Sequence, residues 1–200
     1  MGKQAGGTRT KRPVSKQVTN EEYAISNILQ VKSIDNKVIS KNIGKVSVVG
    51  DFSNQQRSSA LKTLSAMYER YNLPKIKYLV FSTKNKDKSI AGVATYDKIT
   101  IYDSYGATKN GVHKFLIHEM CHQMTGQYLK NIPKDIRSKI SLDFSTALKN
   151  VKKKDDNGNY WKTDIEEFCS ETLRKGLSGV KMNQYEQSTF RLIDTYFRKK

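Results

Sequence analysis

The chain has 200 residues, 36% of them hydrophobic, which suits one domain with a real core. No run of about 18 apolar residues exists, which excludes a transmembrane helix as read from sequence, and the polar, basic start lacks the apolar stretch of a secretory signal, so the expected location is cytoplasmic or virion-associated unless export is specialised. The formal net charge of +17 predicts attraction to acidic partners, whether nucleic acid, anionic membrane surface or acidic protein, without selecting among them.

Residues 1–19 carry Lys3, Arg9, Lys11, Arg12 and Lys16 among Gly, Thr and Gln, with no acidic residue. Such a segment cannot bury apolar surface and is predicted to be a disordered basic arm. Residues 20–200 are predicted to form a single folded domain. Tyr23, Ile25, Ile28, Leu29 and Val31 suggest a short helix within 21–32, and Lys45 to Val49 alternates like a strand. Asp51 or Ser53 can cap the next helix, whose buried stripe is Leu61, Leu64, Met67, Tyr68 and Tyr71. Pro74 follows it. Ile76 to Ser82 is a second strand with a continuous apolar run. Ile90 to Tyr96 and Ile99 to Tyr102 read as a hairpin, in which Gly92 marks either a bulge or a close backbone approach.

His118-Glu119-Met120-Cys121-His122 follows, an H-E-x-x-H pattern on a helix from about Gly111 to Thr125. Residues four apart share a helix face, roughly 40° apart in projection. Two imidazoles so placed can bind one zinc ion, with Glu119 positioned to take a proton from water activated there. Without a metal, the same pattern describes a buried helix with two hydrogen-bonded histidines. Val112, Phe115, Leu116, Ile117, Met120 and Met124 make the helix apolar nearly all round, so it belongs in a core. Histidines and a glutamate cost free energy there unless paired, and a metal is an economical partner. Gly126 is the expected C-terminal stop. His113 falls about 140° round from His118 and is read as a non-ligand.

A catalytic zinc needs a third protein ligand. No histidine remains downstream, so a carboxylate on a later helix is expected. A third helix is predicted from about Pro133, with Ile136, Ile140, Phe144, Ala147, Leu148 and Val151 as its stripe, ending in a charged turn at 152–158. The carboxylate segment is Thr163 to Glu171, with Thr163 and Glu166 as a capping box and Gly176 as the stop. Spacing alone does not separate Glu166, Glu167 and Glu171 as the ligand, and a solvated acidic face is the ordinary alternative. A last helix from about Asn183 is predicted to bury Tyr185, Leu192, Ile193, Tyr196 and Phe197. Strands mixed into the first half and helices after them predict an α+β fold.

An H-E-x-x-H helix followed far downstream by Glu-Glu-Phe-x-x-Glu resembles the gluzincin metallopeptidases, and most of all the catalytic domain of the anthrax toxin lethal factor type. The resemblance covers roughly Ile90 to Gly176 and is specific at the motif residues. One departure is Cys121, which stands where the family usually has glycine. The resemblance implies a zincin-like fold, with a small twisted sheet packed on the motif helix and further C-terminal helices. It also implies that the domain is catalytic. It assigns Glu167 as third zinc ligand beside His118 and His122, Tyr160 as a residue assisting catalysis, and Glu171 to the outer shell. By the same resemblance the 90–102 region takes extended substrate by main-chain pairing, an ordinary edge strand being the alternative.

The expected function is that of a zinc-dependent endopeptidase acting on a peptide or protein substrate. Glu119 is the general base, Tyr160 donates to the oxyanion (a contribution of about 3 kcal/mol by analogy with other such donors), and Glu171 orients a ligand histidine. The alternative is a structural or nucleic-acid-associated protein of a phage or mobile element that keeps a zincin fold, with the basic arm docking on nucleic acid or an acidic assembly. Cys121 and Cys169 are expected as reduced, buried thiols.

Overall fold

The computed structural model describes residues 24–25, 27–29, 36–84, 90–103, 112–152 and 160–200. The basic arm at 1–19 and most of the charged turn at 152–158 lie outside them. The described elements, in order, are α1 (Asn36–Ile43), β1 (Ser47–Gly50), α2 (Asn54–Arg70), β2 (Tyr78–Ser82), β3 (Gly92–Thr95), β4 (Lys98–Tyr102), α3 (His113–Thr125), α4 (Lys134–Asn150), α5 (Ile165–Ser178) and α6 (Gln184–Phe197). The fold is α+β, as the order of patterns predicts.

One mixed sheet has the strand order β1-β2-β4-β3. β1, β2 and β4 run parallel, so β1 and β2 need a crossover, which α2 supplies. β3 runs antiparallel to β4 across the turn at Tyr96 and Asp97 and forms an edge of the sheet. The register places Leu79 beside Ile99 and Phe81 beside Ile101. All four are buried, so these residues make the core face of the sheet, whereas Tyr78 is exposed. The apolar run of β2 therefore alternates in and out rather than being buried on both faces.

Helix α2 starts at Ser53, whose side chain accepts from the Gln56 N–H while the Gln56 side chain accepts from the Ser53 N–H, a reciprocal capping box. Asp51 is not the cap: its carboxylate accepts from the Thr83 N–H at 2.7 Å and ties the end of β2 to the exit of β1. Helix α3 packs on β3, β4, α2 and α5. Phe115, Leu116, Ile117, Met120, Cys121 and Met124 are all buried, which meets the expectation of a core helix. Its C-cap is Gly126. A smaller apolar cluster joins Ala147 of α4, Phe168 of α5 and Trp161.

The structure differs from the sequence pattern in several places. The α1 helix has no counterpart among the predicted elements. Of the helix expected at 21–32, Ala24, Ile25, Asn27 and Ile28 are helical, and Ile25 and Leu29 are buried. Pro133 is the N-cap of α4 rather than its first helical residue. Leu148 and Tyr196 are exposed although both lie on predicted apolar stripes, because each stripe is wider than the surface that covers it. Gly176 does not stop α5. The helix continues through Ser178 to Gly179, whose left-handed conformation (φ 67°) ends it. A Cβ at Gly176 would collide with the Phe190 ring, so glycine there lets α6 approach α5 closely. Among the described residues no helix is long and apolar enough to cross a membrane.

Candidate metal centre

Helix α3 presents His118 and His122 on one face, one turn apart, with ring centroids separated by 5.0 Å and edge to face. Their Nε2 atoms are 3.3 Å apart. Helix α5 packs across α3 and adds Glu167. Its Oε2 lies 3.0 Å from His118 Nε2, and its Oε1 lies 3.6 Å from His122 Nε2. One ligand atom from each of the three residues falls within a span of 4.8 Å, a grouping that could hold a metal ion. Tetrahedral bonds of about 2.0–2.1 Å would set neighbouring donors about 3.3 Å apart. The separation of the two imidazole nitrogens matches that figure, while the nearest approach to each imidazole comes from a different oxygen of Glu167.

A second observation bears on the fit. Glu167 Oε2 is buried and has no hydrogen-bond partner. Its closeness to His118 Nε2 is therefore not a well-aligned hydrogen bond. A cation placed among these three donors would satisfy that oxygen and both imidazoles together. The two imidazoles and one carboxylate suit such a cation.

Of the three carboxylates left open by spacing, Glu167 alone joins this grouping. Glu166 turns away, and its Oε1 accepts from the Tyr128 N–H at 2.8 Å. Glu171, one turn beyond Glu167 and 2% exposed, contacts the other side of His118, Oε1 to Nδ1 at 3.0 Å. That contact fixes the imidazole with Nδ1 as donor and Nε2 facing Glu167. The α5 helix begins at Asp164, whose side chain accepts from the N–H groups of Glu166 and Glu167. The expected capping box of Thr163 and Glu166 does not form. Thr163 donates instead to the Tyr160 carbonyl, and Asp164 takes the capping role because it stands one residue closer to the helix.

Glu119 lies beside the grouping without joining it. It is 6% exposed and accepts a hydrogen bond from the Ala94 N–H of β3. Gly92 of the same strand is packed against its side chain, which resolves the sequence alternatives for Gly92 in favour of close backbone approach. Tyr160 sits in a 3-10 turn spanning Tyr160–Lys162, next to the buried Trp161, which packs on Phe168 at 5.7 Å. This anchor sets the Tyr160 ring 6.0 Å from that of His118, with its hydroxyl hydrogen-bonded to Glu167.

Burial works against charge throughout the site, and the neighbours decide each outcome. Burial pushes Glu119 up to about 7, aided by the Glu167 carboxylate. Burial, together with the His118 charge, pushes His122 down to about 4. Burial would lower His118 too, but Glu167 and Glu171 on either side push it up to about 10. In the absence of a metal, His118 thus carries the positive charge that the two carboxylates demand. Glu171 stays well below the usual carboxylate range despite its burial, because Arg174 and His118 hold it. The Tyr160 hydroxyl is raised by burial and by Glu167, so it remains a donor.

Arg174 escaped the sequence reading. It is buried on the Glu171 carboxylate, Nη2 to Oε2 at 3.1 Å. Its spacing of three from Glu171 was the available signal. His113 lies apart from the three donors, beside Thr63 of α2, and burial pushes it down to about 4. Cys121 and Cys169 are free and buried. Burial pushes Cys121 up to about 12, so its thiol is inert packing. Comparison of the chain with family models, with characterised proteins and with solved structures finds no match.

Proposed function

We propose that the chain is a zinc-dependent endopeptidase with a zincin-like fold of the gluzincin type. The observation that carries this reading is the convergence of His118, His122 and Glu167: donors from two helices within 4.8 Å of one another, one of them a buried carboxylate oxygen without a hydrogen-bond partner. These three residues would hold the ion, leaving a position for substrate or water. When bound, zinc would supply a Lewis acid that polarises a carbonyl and lowers the pKa of water toward neutrality.

The chain's own residues account for the remaining roles. Glu119 is held beside the donors by Ala94 and Gly92 and can accept a proton and release it again near neutral pH. Tyr160 keeps its proton and can donate a hydrogen bond to an oxyanion at the mouth of the site. Glu171, itself held by Arg174, fixes the tautomer and orientation of His118. β3 lies at the sheet edge against α3, where an extended peptide can gain main-chain hydrogen bonds without its sequence being read.

The test is metal content and peptide-library cleavage of the purified protein. Glu119→Gln should retain about one zinc per chain and lose turnover. Glu167→Ala should lose the zinc. Wild-type protein without bound metal, or with metal whose binding ignores Glu167→Ala, sinks the reading. The net charge of +17 favours a second reading, a nucleic-acid-associated protein that keeps this fold. Full metal occupancy with no cleavage of any library peptide, together with nucleic-acid binding that falls steeply with salt, would select it.

A further inference from the structure

Away from the metal centre, an open pocket of about 550 Å³ lies between the C-terminal end of α2, the segment leading to β2, and the end of the chain. Its walls combine aromatic and apolar side chains, chiefly Tyr68, Pro74, Met124 and Phe197, with two lysines, Lys75 and Lys199. Both lysines have contacts with neighbouring backbone or ring atoms. Lys75 Nζ lies 4.2 Å from the centre of the Tyr68 ring and donates to the Asn42 carbonyl. Lys199 donates to the Tyr68 carbonyl. Its backbone is fixed: Lys199 N–H bonds the Arg70 carbonyl at 2.9 Å, and Asn72 N–H bonds the Phe197 carbonyl at 2.8 Å.

Two like charges have thus been brought to one pocket. Burial and the Lys199 ammonium together hold Lys75 below the ordinary lysine value. No carboxylate lines the pocket. Asp194, which bonds the Tyr71 hydroxyl, is already paired with Arg70 and Arg198. Among the described residues neither Lys75 nor Lys199 forms an ion pair with a carboxylate. Both side chains are exposed, so water screens much of their repulsion, and an anion placed in the pocket would meet two ammonium groups at once.

We propose that this pocket binds the phosphate monoester group of a ligand with an apolar body, the phosphate between Lys75 and Lys199 and the body against Pro74, Met124 and Phe197. A doubly charged head matches two ammonium groups, and lysine meets a phosphate as a point charge. The volume falls within the usual range of about 300–1,000 Å³ for small-molecule sites, well above the needs of bare phosphate. Two sources share this chemistry: a free phosphate ester such as a mononucleotide, and the phosphorylated end of a nucleic-acid strand.

The experiment is calorimetric titration of the full chain with phenyl phosphate, in the presence of a chelator so that the His118, His122 and Glu167 grouping contributes nothing. Saturable one-to-one binding is expected, at least tenfold tighter than benzoate. Lys75→Ala and Lys199→Ala should each weaken it at least tenfold while the protein stays folded, as a retained cooperative melting transition shows. Absence of saturable binding overturns the proposal, as does binding that survives either substitution. Titration with a mononucleotide and with a short 5′-phosphorylated strand then separates the sources, the tighter Lys75-dependent ligand naming the one in use. Neither result bears on peptide cleavage, so this proposal and the zinc reading stand or fall apart from each other.

Discussion

Gly92 of β3 occupies a point where any side chain would collide with Glu119: a Cβ placed there falls 2.5 Å from the glutamate Oε1 and 2.7 Å from its carboxyl carbon. The edge strand and the proposed base are therefore in direct contact, with no room for even one methyl group.

Gly92→Ala should accordingly shift Glu119 rather than unfold the sheet, since β3 is an edge strand. A displacement of about 1 Å at a catalytic group costs on the order of 100-fold in rate. The expected outcome is retained metal with cleavage reduced about 100-fold. Metal analysis beside a steady-state assay checks it, and an alanine variant with wild-type turnover would contradict it.

Glu171 contacts His118 from the side opposite Glu167, so it should affect metal affinity without supplying a ligand. Glu171→Gln is expected to weaken zinc binding by about 10–100-fold, the usual effect of removing such a partner. Glu166→Ala, in contrast, should leave affinity unchanged. It loses only the hydrogen bond to the Tyr128 N–H, about 1 kcal/mol of stability. A competition titration with a chromophoric chelator distinguishes the two variants from each other and from Glu167→Ala.

Gly176 faces the Phe190 ring across the contact between α5 and α6. Gly176→Ala adds a methyl group with no room for it, and overpacking of this kind costs about 1–3 kcal/mol. Helix propensity alone would favour alanine by about 1 kcal/mol. A lowered melting temperature is expected; a raised one would mean that the ring yields.

Asp194 gathers the Tyr71 hydroxyl at 2.6 Å, Arg70 at 3.0 Å and Arg198. Burial raises this carboxyl, but the Tyr71 hydroxyl and the two guanidinium groups outweigh it and hold Asp194 below the ordinary aspartate value of 3.8. A folded-state value below the unfolded one contributes stability that is complete above the unfolded value and drains away as pH falls through the folded one. Urea unfolding should therefore show a stability gap between wild type and Asp194→Asn at pH 7 that narrows below about pH 4. A gap that stays constant with pH would show that the carboxylate charge is not what stabilises the cluster.

Much of this architecture is legible in the residues themselves. The four-residue spacing of His118 and His122, and the apolar shell from Val112 to Met124, define the α3 helix and its burial, because both features are local and follow the 3.6-residue period. Capping chemistry narrows the start of α2 to Asp51 or Ser53, and the structure selects Ser53. Tertiary structure alone decided among Glu166, Glu167 and Glu171. All three lie on one helix, and only the packing of α5 on α3 turns Glu167 to the imidazoles and Glu166 to Tyr128. Gly176 likewise carries a stop signal in sequence, yet the approach of Phe190 keeps it inside the helix. Arg174 shows its role only once burial removes the water that would otherwise solvate Glu171. Local periodicity reports what a segment can form by itself. His118 and Glu171 lie 53 residues apart along the chain, and only the folded contacts bring them together.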